Sequence, residues 1–254
     1  MKTRWEMYDR LIENIPADIV VEDYGVGCAW TFVKTKKGMG VALSVRQRAG
    51  ECDEESPVIG RPLKEVAKMV KSWNFIEASI GMAAINAWYN TVEQAEEKKL
   101  LDPDAQGNDN GDVFKVFGGE VRDKKVAVIG HFPYLEKKLA PICQLSILER
   151  EPQKGDYPDS ACEYILEDQD YVFITGMTMT NKTLPRLLEL CEHAKVCVVG
   201  PSVPLSDILF DYGVDCISGF CATNVKKTGE ALRRGVKQGI FKGGQMVNYY
   251  SEQK

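Results

Sequence analysis

The chain has 254 residues, of which 44% are hydrophobic and 27% are charged, as is usual for a globular protein with a sizeable core. Its formal net charge of −5 argues against a nucleic-acid-binding protein, which usually presents a net basic face. No run approaches the roughly 18 apolar residues of a membrane span, and the charged N-terminus lacks the apolar core of a signal peptide. We therefore expect a cytoplasmic protein without nucleic-acid or membrane partners.

The N-terminal third predicts a compact α+β unit. A helix at residues 4–15 carries apolar side chains at helical spacing and stops at Pro16. Three short β-branched segments follow, and their connections are too short for crossovers, which predicts an antiparallel meander. These strands are expected at 18–24, 29–35 and 41–45.

A polar loop at 46–61, expected to be exposed, leads into two predicted helices at 63–73 and 76–91. The second helix is rich in small residues, which would let another backbone come close. Asn86 lies within this helix and is a candidate to face a ligand from the N-terminal side, although a satisfied interhelical hydrogen bond is the alternative.

Residues 93–112 are polar and contain proline and glycine, so we interpret them as a linker. They separate a predicted domain at 1–100 from a second at 101–254. A short helix capped by Asp112 is expected at the end of this linker.

From Lys124 onward, apolar strands alternate with helical segments, which is typical of a parallel sheet covered on both faces. The fold class is therefore α/β, with a Rossmann-like C-terminal domain after the small α+β domain. The strands are expected at 125–129, 144–148, 171–175, 195–199 and 214–217, and a last helix at 229–238.

The eight cysteines show neither the paired spacing of a structural zinc site nor the pattern of a disulfide framework. Most are interpreted as buried thiols that pack as small hydrophobic side chains.

In an open parallel sheet, ligands bind beyond the carboxyl ends of the strands. The loop after the first such strand holds Gly130, His131 and Phe132 and lacks the Gly-x-Gly-x-x-Gly fingerprint of dinucleotide sites. His131 is a candidate metal ligand, proton carrier or hydrogen-bond donor, or a side chain packed on a helix terminus. Glu149 ends the second strand, where an acid can accept hydrogen bonds from ribose hydroxyls or simply face solvent.

Two further loops contain candidate ligand-binding residues. The loop after the third strand has more polar side chains than helix capping needs, and the surplus suggests a nest of hydroxyls and backbone N–H groups that suits an anion. The loop after the fourth strand contains two prolines, which would build a rigid pocket wall or a turn capped by its serine. The candidates are Gly176, Thr178, Asn181, Thr183, Gly200, Pro201 and Ser202.

Four segments, at 79–87, 126–132, 175–184 and 200–204, occur in an order that resembles a bacterial and archaeal family of heavy-metal chelatases defined as a domain of unknown function. The resemblance covers nearly the whole chain. It implies an N-terminal domain similar to that of enolase, a Rossmann-like C-terminal domain and a site between them. The residues that match the family's motif regions by position are Asn86, His131, Thr178, Asn181 and Ser202.

The resemblance implies that the chain handles or chelates a heavy metal. In the leading hypothesis the metal is a divalent ion, His131 is its ligand or a proton carrier, and Glu149 is an acidic helper. One histidine without clustered thiols makes a poor metal cage unless the ligand, an organic chelator, supplies further donors. Two alternatives stay open: a non-catalytic module for a nucleotide-like or other anionic metabolite, and a partner subunit in metallocofactor assembly. The sequence leaves open whether the protein is an enzyme or forms a homo-oligomer.

Overall fold

A computed structural model describes residues 4–45, 57–103, 111–133 and 135–251. Most of the loop predicted to be exposed, residues 46–56, lies outside the described residues. Within the described ranges, no helix has the length and apolar composition that crossing a membrane requires.

The N-terminal part is a three-stranded antiparallel sheet in the order β1-β2-β3, packed against helices. This is the predicted meander, although its first strand begins five residues later than expected. The elements are α1 (Glu6–Glu13), β1 (Asp23–Val26), β2 (Trp30–Lys34), β3 (Met39–Leu43), α2 (Leu63–Ala67), α3 (Phe75–Tyr89) and α4 (Val92–Glu97).

The long helix α3 lies so close to its neighbours that only glycine fits at two contacts. A Cβ atom on Gly40 of β3 would lie 2.1 Å from the backbone nitrogen of Ala87. A Cβ atom on Gly81 would lie 2.0 Å from the backbone nitrogen of Val70, in the turn that extends α2. The close backbone approach predicted from the small residues of this helix is therefore confirmed.

The C-terminal part is a seven-stranded sheet in the order β10-β9-β8-β7-β4-β5-β6. Its strands are parallel except β10, which pairs antiparallel with β9. The strands are β4 (Lys125–Ile129), β5 (Gln144–Glu149), β6 (Tyr157–Pro158), β7 (Tyr171–Thr175), β8 (Lys195–Val199), β9 (Cys216–Cys221) and β10 (Gln245–Tyr250). From β6 to β9 this order is that of a Rossmann sheet, in which the direction of winding reverses between the first and fourth strands, here β4 and β7.

Helices cover both faces of this sheet, as the sequence predicts. Along β4, Val126 and Val128 pack into an apolar cluster on one face, while Ala127 and Ile129 belong to the cluster on the other. The covering helices are α5 (Val113–Val116), α6 (Leu135–Leu139), α7 (Cys162–Ile165), α8 (Met177–Thr180), α9 (Leu184–Leu190) and α10 (Val225–Arg233).

The two parts share one apolar core. Leu11 of α1 and Ile85 of α3 are fully buried in the same cluster as Ile174 of β7 and Val198 of β8. The two sheets lie on either side of the predicted boundary near residue 100, and the boundary itself stays a prediction.

Several elements differ from the sequence-based expectation. The predicted linker contains helix α4, whose first turn is capped by the Thr91 hydroxyl. The last predicted helix begins at Val225, four residues before the expected Gly229, because the Asn224 side chain caps it there. The sequence predicts neither β6 nor β10. Strand β6 has only two residues, and the polar residues of β10 hide its strand pattern.

Most cysteines are buried, as expected. Five of the seven described cysteines are buried and all seven are free thiols. Cys52 lies outside the described residues.

Candidate functional site

A hollow opens at the carboxyl ends of β4, β5 and β7, where the sheet reverses its winding. It encloses about 450 Å³ of space not filled by atoms, counting its opening to solvent. This is the position at which open α/β sheets bind their ligands. Its polar lining comes from the ends of β5 and β7 and the segments that follow them: Glu149, Arg150, Asp159, Thr175, Thr178, Asn181 and Thr183.

Gly130 allows the chain to turn sharply at the edge of the hollow. Its φ of +100° is a conformation that residues with a Cβ rarely adopt, and its N–H donates to the carbonyl of Leu148. Gly176 serves packing instead, because a Cβ there would lie 2.5 Å from Cγ2 of Val203. Of the two glycines, Gly130 lines the hollow and Gly176 does not.

Glu149 connects the ends of β4 and β5. Its Oε2 accepts from the backbone N–H of His131 at 2.9 Å, and its Oε1 accepts from the N–H of Arg150 at 2.7 Å. Each carboxylate oxygen has room for a second hydrogen bond, so Glu149 can still accept from a ligand hydroxyl. The Arg150 guanidinium lies 3.3 Å from Asp159, which places a cation and a second carboxylate at the same rim.

The opposite wall of the hollow comes from the loop around α8. The Thr178 hydroxyl donates to the carbonyl of Thr175 at 2.7 Å. The Asn181 side-chain oxygen accepts from the Thr183 hydroxyl at 2.7 Å and from the Thr183 N–H at 3.2 Å. We find no bond from the Asn181 amide nitrogen to another described residue, so this donor is available at the hollow. The loop thus offers one amide donor and the hydroxyl oxygens of Thr178 and Thr183, whereas the sequence predicted a nest of hydroxyls and backbone N–H groups.

Lys182, in the same loop, is half-buried between the two parts of the molecule. Its Nζ donates to the carbonyl of Thr180 at 2.9 Å and lies 4.9 Å from the ring centre of Phe75, at the start of α3. Burial removes water from the ammonium group and lowers the pKa of Lys182 to about 8. The loop is therefore anchored to the N-terminal part by a cation with little hydration.

His131 lies beside the hollow and is held by acids. Its Nδ1 is 2.9 Å from Oδ2 of Asp156, and its Nε2 is 3.3 Å from Oε1 of Glu136. The imidazole does not line the hollow. In the part of the chain that the structure describes, no group of three or more His, Cys, Asp or Glu side chains could hold a metal ion. A metal bound here would need donors from outside the protein.

The other predicted site residues lie in packed regions. Asn86 donates to the carbonyls of Val41 and Pro201 at 2.8 and 3.3 Å, and the Ser202 hydroxyl accepts from the N–H of Leu43 at 2.8 Å. These contacts join the two parts of the molecule. Ser202 caps no helix, because the next helical turn begins at Asp207 and is capped by Ser206.

Phe132 and Gly200 likewise lie away from the hollow. The ring of Phe132 packs edge-on against Phe114 at 5.3 Å on the other face of the sheet. Gly200 has a φ of +118° and makes the turn that follows β8.

Sequence reasoning missed five residues that matter to this region. Arg150 directly follows a predicted strand end, but that position alone does not show that its side chain lines the hollow. Asp159 and Asp156 belong to the segment around β6, whose two residues gave no strand signal. Glu136 and Cys162 lie on short helices, and their positions depend on how those helices pack.

The comparisons with known proteins agree with this architecture. Two family models, both described as "Putative heavy-metal chelation", match residues 8–89 and 112–251. A crystal structure of a Desulfitobacterium hafniense protein with unknown function from the DUF364 family is 40% identical, covers 98% of this chain and 99% of that chain, and superposes with a TM-score of 0.90. The chain belongs to this family.

More distant relatives extend the match. An uncharacterised protein of Methanocaldococcus jannaschii is 27% identical over 247 residues, which are 92% of this chain and 90% of the relative. A DUF364 protein with unknown function from Pyrococcus horikoshii is 22% identical, covers 96% of this chain and 98% of that chain, and has a TM-score of 0.77, which shows the shared fold alone. The description of the family models names heavy-metal chelation and assigns no residues. The similarity of the N-terminal part to enolase stays a prediction.

Proposed function

We propose that the protein binds a metal chelate, a small organic molecule that carries a heavy metal ion, and that the organic part lies in the hollow. The observation that carries this proposal is that the protein offers more groups to an organic ligand than to a metal ion. The hollow offers many groups for an organic ligand, whereas the described residues contain no three-ligand metal cluster. The metal therefore arrives with most of its ligands already supplied.

The polar rim fits an anionic ligand that also bears hydroxyl groups. Arg150 supplies the positive charge for a carboxylate, and its planar guanidinium can bind both carboxylate oxygens. Glu149 accepts from a hydroxyl, and the Asn181 amide nitrogen donates to an oxygen on the opposite wall. In this arrangement the hollow selects the chelator by its shape and charge.

The test is native mass spectrometry of gently purified protein, with elemental analysis of the same sample. We expect a retained organic mass together with a divalent heavy metal. Arg150→Met should lower occupancy at least about tenfold, the equivalent of one charge-assisted hydrogen bond. Arg122→Met is the matched control, because Arg122 is exposed beside the opposite, amino end of β4. Wild-type protein without any organic ligand, or equal occupancy in both variants, would contradict the proposal.

A second function is favoured by the position of Glu149. In Rossmann-type sites, an acid at the end of the second strand binds ribose hydroxyls, and β5 is the second strand of this order. A non-catalytic module for a nucleoside-like metabolite would therefore use the same hollow. The mass measurement separates the two functions, since this one gives a nucleoside-like mass without metal.

A further inference from the structure

We propose that His131 and Glu136 together bind a divalent cation beside the hollow, with Asp156 orienting the imidazole. This inference rests on the proposed function, since it names the protein groups that would contact the metal of the chelate. Glu136 and Asp156 bring to the site a second ligand and a positioning residue that the sequence alone did not indicate.

The hydrogen bonding around Asp156 fixes which ring nitrogen carries hydrogen. Oδ2 of Asp156 already accepts from the backbone N–H of Gln153 at 2.9 Å, and an ionised carboxylate can only accept. The Nδ1 atom of His131, 2.9 Å from the same oxygen, must therefore be the donor. In the neutral ring this leaves a lone pair on Nε2, as metal-binding histidines require.

That lone pair faces another electron-rich group. Nε2 lies 3.3 Å from Oε1 of Glu136, so the two groups can share a proton or bind a divalent cation together. Two ligands on one tetrahedral zinc ion, with bonds of about 2.0–2.2 Å, lie ~3.3–3.5 Å apart. The observed spacing therefore allows both groups to bind one zinc ion.

The protein holds the His131 imidazole in place, whereas the Glu136 side chain is open to solvent. The Asp156 side chain is 2% exposed and the His131 side chain 14% exposed, and the His131 backbone is held by Glu149. The Glu136 side chain, on the first turn of α6, is 54% exposed. The imidazole is therefore fixed before the metal binds, while the remaining coordination positions face solvent and can be filled by a chelator or water.

The donor set selects the class of metal. An imidazole nitrogen and a carboxylate oxygen suit borderline ions such as Zn²⁺, Ni²⁺ and Co²⁺, whereas ions that need soft ligands prefer thiolates. The pair contains no thiolate, so Zn²⁺ is the appropriate probe.

The experiment is calorimetric titration of the metal-free full chain with Zn²⁺ alone. We expect one equivalent that His131→Gln abolishes and that Glu136→Gln weakens at least about tenfold. Asp156→Asn should cost about 10–100-fold, as is typical for a group that orients a metal-bound histidine. The matched control is His193→Gln, since His193 is the chain's other histidine and is exposed. Glu136 is on the surface, so its variant should fold normally.

Two results would overturn the inference: wild-type protein that takes up no Zn²⁺, or equal Zn²⁺ binding by wild type and His131→Gln. The first would mean that a proton alone joins His131 and Glu136. Either result leaves the hollow untested, because the organic ligand is detected separately by its mass. Zinc binding by the pair in a protein that retains no organic ligand would instead reject the proposed function and keep this site.

Discussion

At the scale of single residues, three carboxylates surround His131: Glu149 accepts from its backbone N–H, and Asp156 and Glu136 lie against its ring. His131 and Glu149 follow neighbouring strands, so their proximity follows from the parallel order alone, and the structure joins them through a hydrogen bond. Asp156 and Glu136 reach His131 from a loop and a short helix. Their contacts depend on loop conformations, for which the local sequence has no periodic signal.

Lys182 shows how burial and aromatic contact act on one charge in opposite directions. The ring of Phe75 favours the ammonium form, while loss of water disfavours it. Burial lowers the pKa of Lys182 to about 8. Nothing in the sequence around Lys182 indicates this, because Phe75 lies more than a hundred residues away in the chain.

We predict a pH-dependent difference in stability between wild type and Lys182→Met. The native chain releases the Lys182 proton near pH 8, whereas the unfolded chain holds it to about pH 10. Wild type should therefore gain stability relative to the variant as pH rises from about 8 to about 10, by on the order of 1 kcal/mol after allowance for solvent screening. Urea unfolding of both proteins across this pH range measures the difference in stability. A difference that stays constant with pH would contradict the assigned cause.

At the scale of elements, regular periodicity predicted most strands and helices. The strands of the central sheet are continuous apolar runs buried on both faces, which is a strong signal. The short strand β6 and the antiparallel edge strand β10 gave no such signal, because pairing at the edge of a sheet requires few apolar residues. The small residues of α3 predicted close packing, yet the sequence could not show that β3 and the turn after α2 supply the partners.

The close packing of α3 predicts that alanine in place of Gly40 or Gly81 destabilises the protein. Gly40→Ala and Gly81→Ala each place a methyl group about 2 Å from a backbone atom, so β3 or α2 must move away from α3. We expect each to lower the free energy of unfolding by about 3 kcal/mol or more. Gly119→Ala is the control, because a methyl group at that position would have no atom within 4 Å. Thermal and urea unfolding should show the loss for the first two variants, and a loss equal to that of the control would refute the packing argument.

At the scale of the whole molecule, the two predicted domains are joined more tightly than a flexible linker suggests. Asn90 donates to the carbonyls of Val203 and Phe220 and accepts from the N–H of Leu205, at distances of 2.8–3.1 Å. One turn earlier on α3, Asn86 binds the same segment through Pro201. The sequence made Asn86 a candidate to face a ligand, with a structural hydrogen bond as the alternative, because a polar helix residue alone does not distinguish the two.

We predict that the molecule unfolds in a single transition and that Asn90→Ala lowers the free energy of unfolding for that transition. The variant removes three hydrogen bonds from a buried interface, which should cost about 3 kcal/mol. Asn224→Ala, which removes only an exposed helix cap, should cost about 1 kcal/mol. Unfolding followed by both tryptophan fluorescence and circular dichroism provides the measurement. Two separate transitions in wild type would show that the parts are independent.

The central claim is that the ligand lies in the hollow at the ends of β4, β5 and β7. The most direct measurement is a crystal structure of gently purified protein that retains its ligand. We predict organic density bounded by Glu149, Arg150 and Asn181, with any metal next to His131 and Glu136. Ligand density between Asn86 and Ser202, with the hollow empty, would contradict the account and place the site between the two parts of the molecule.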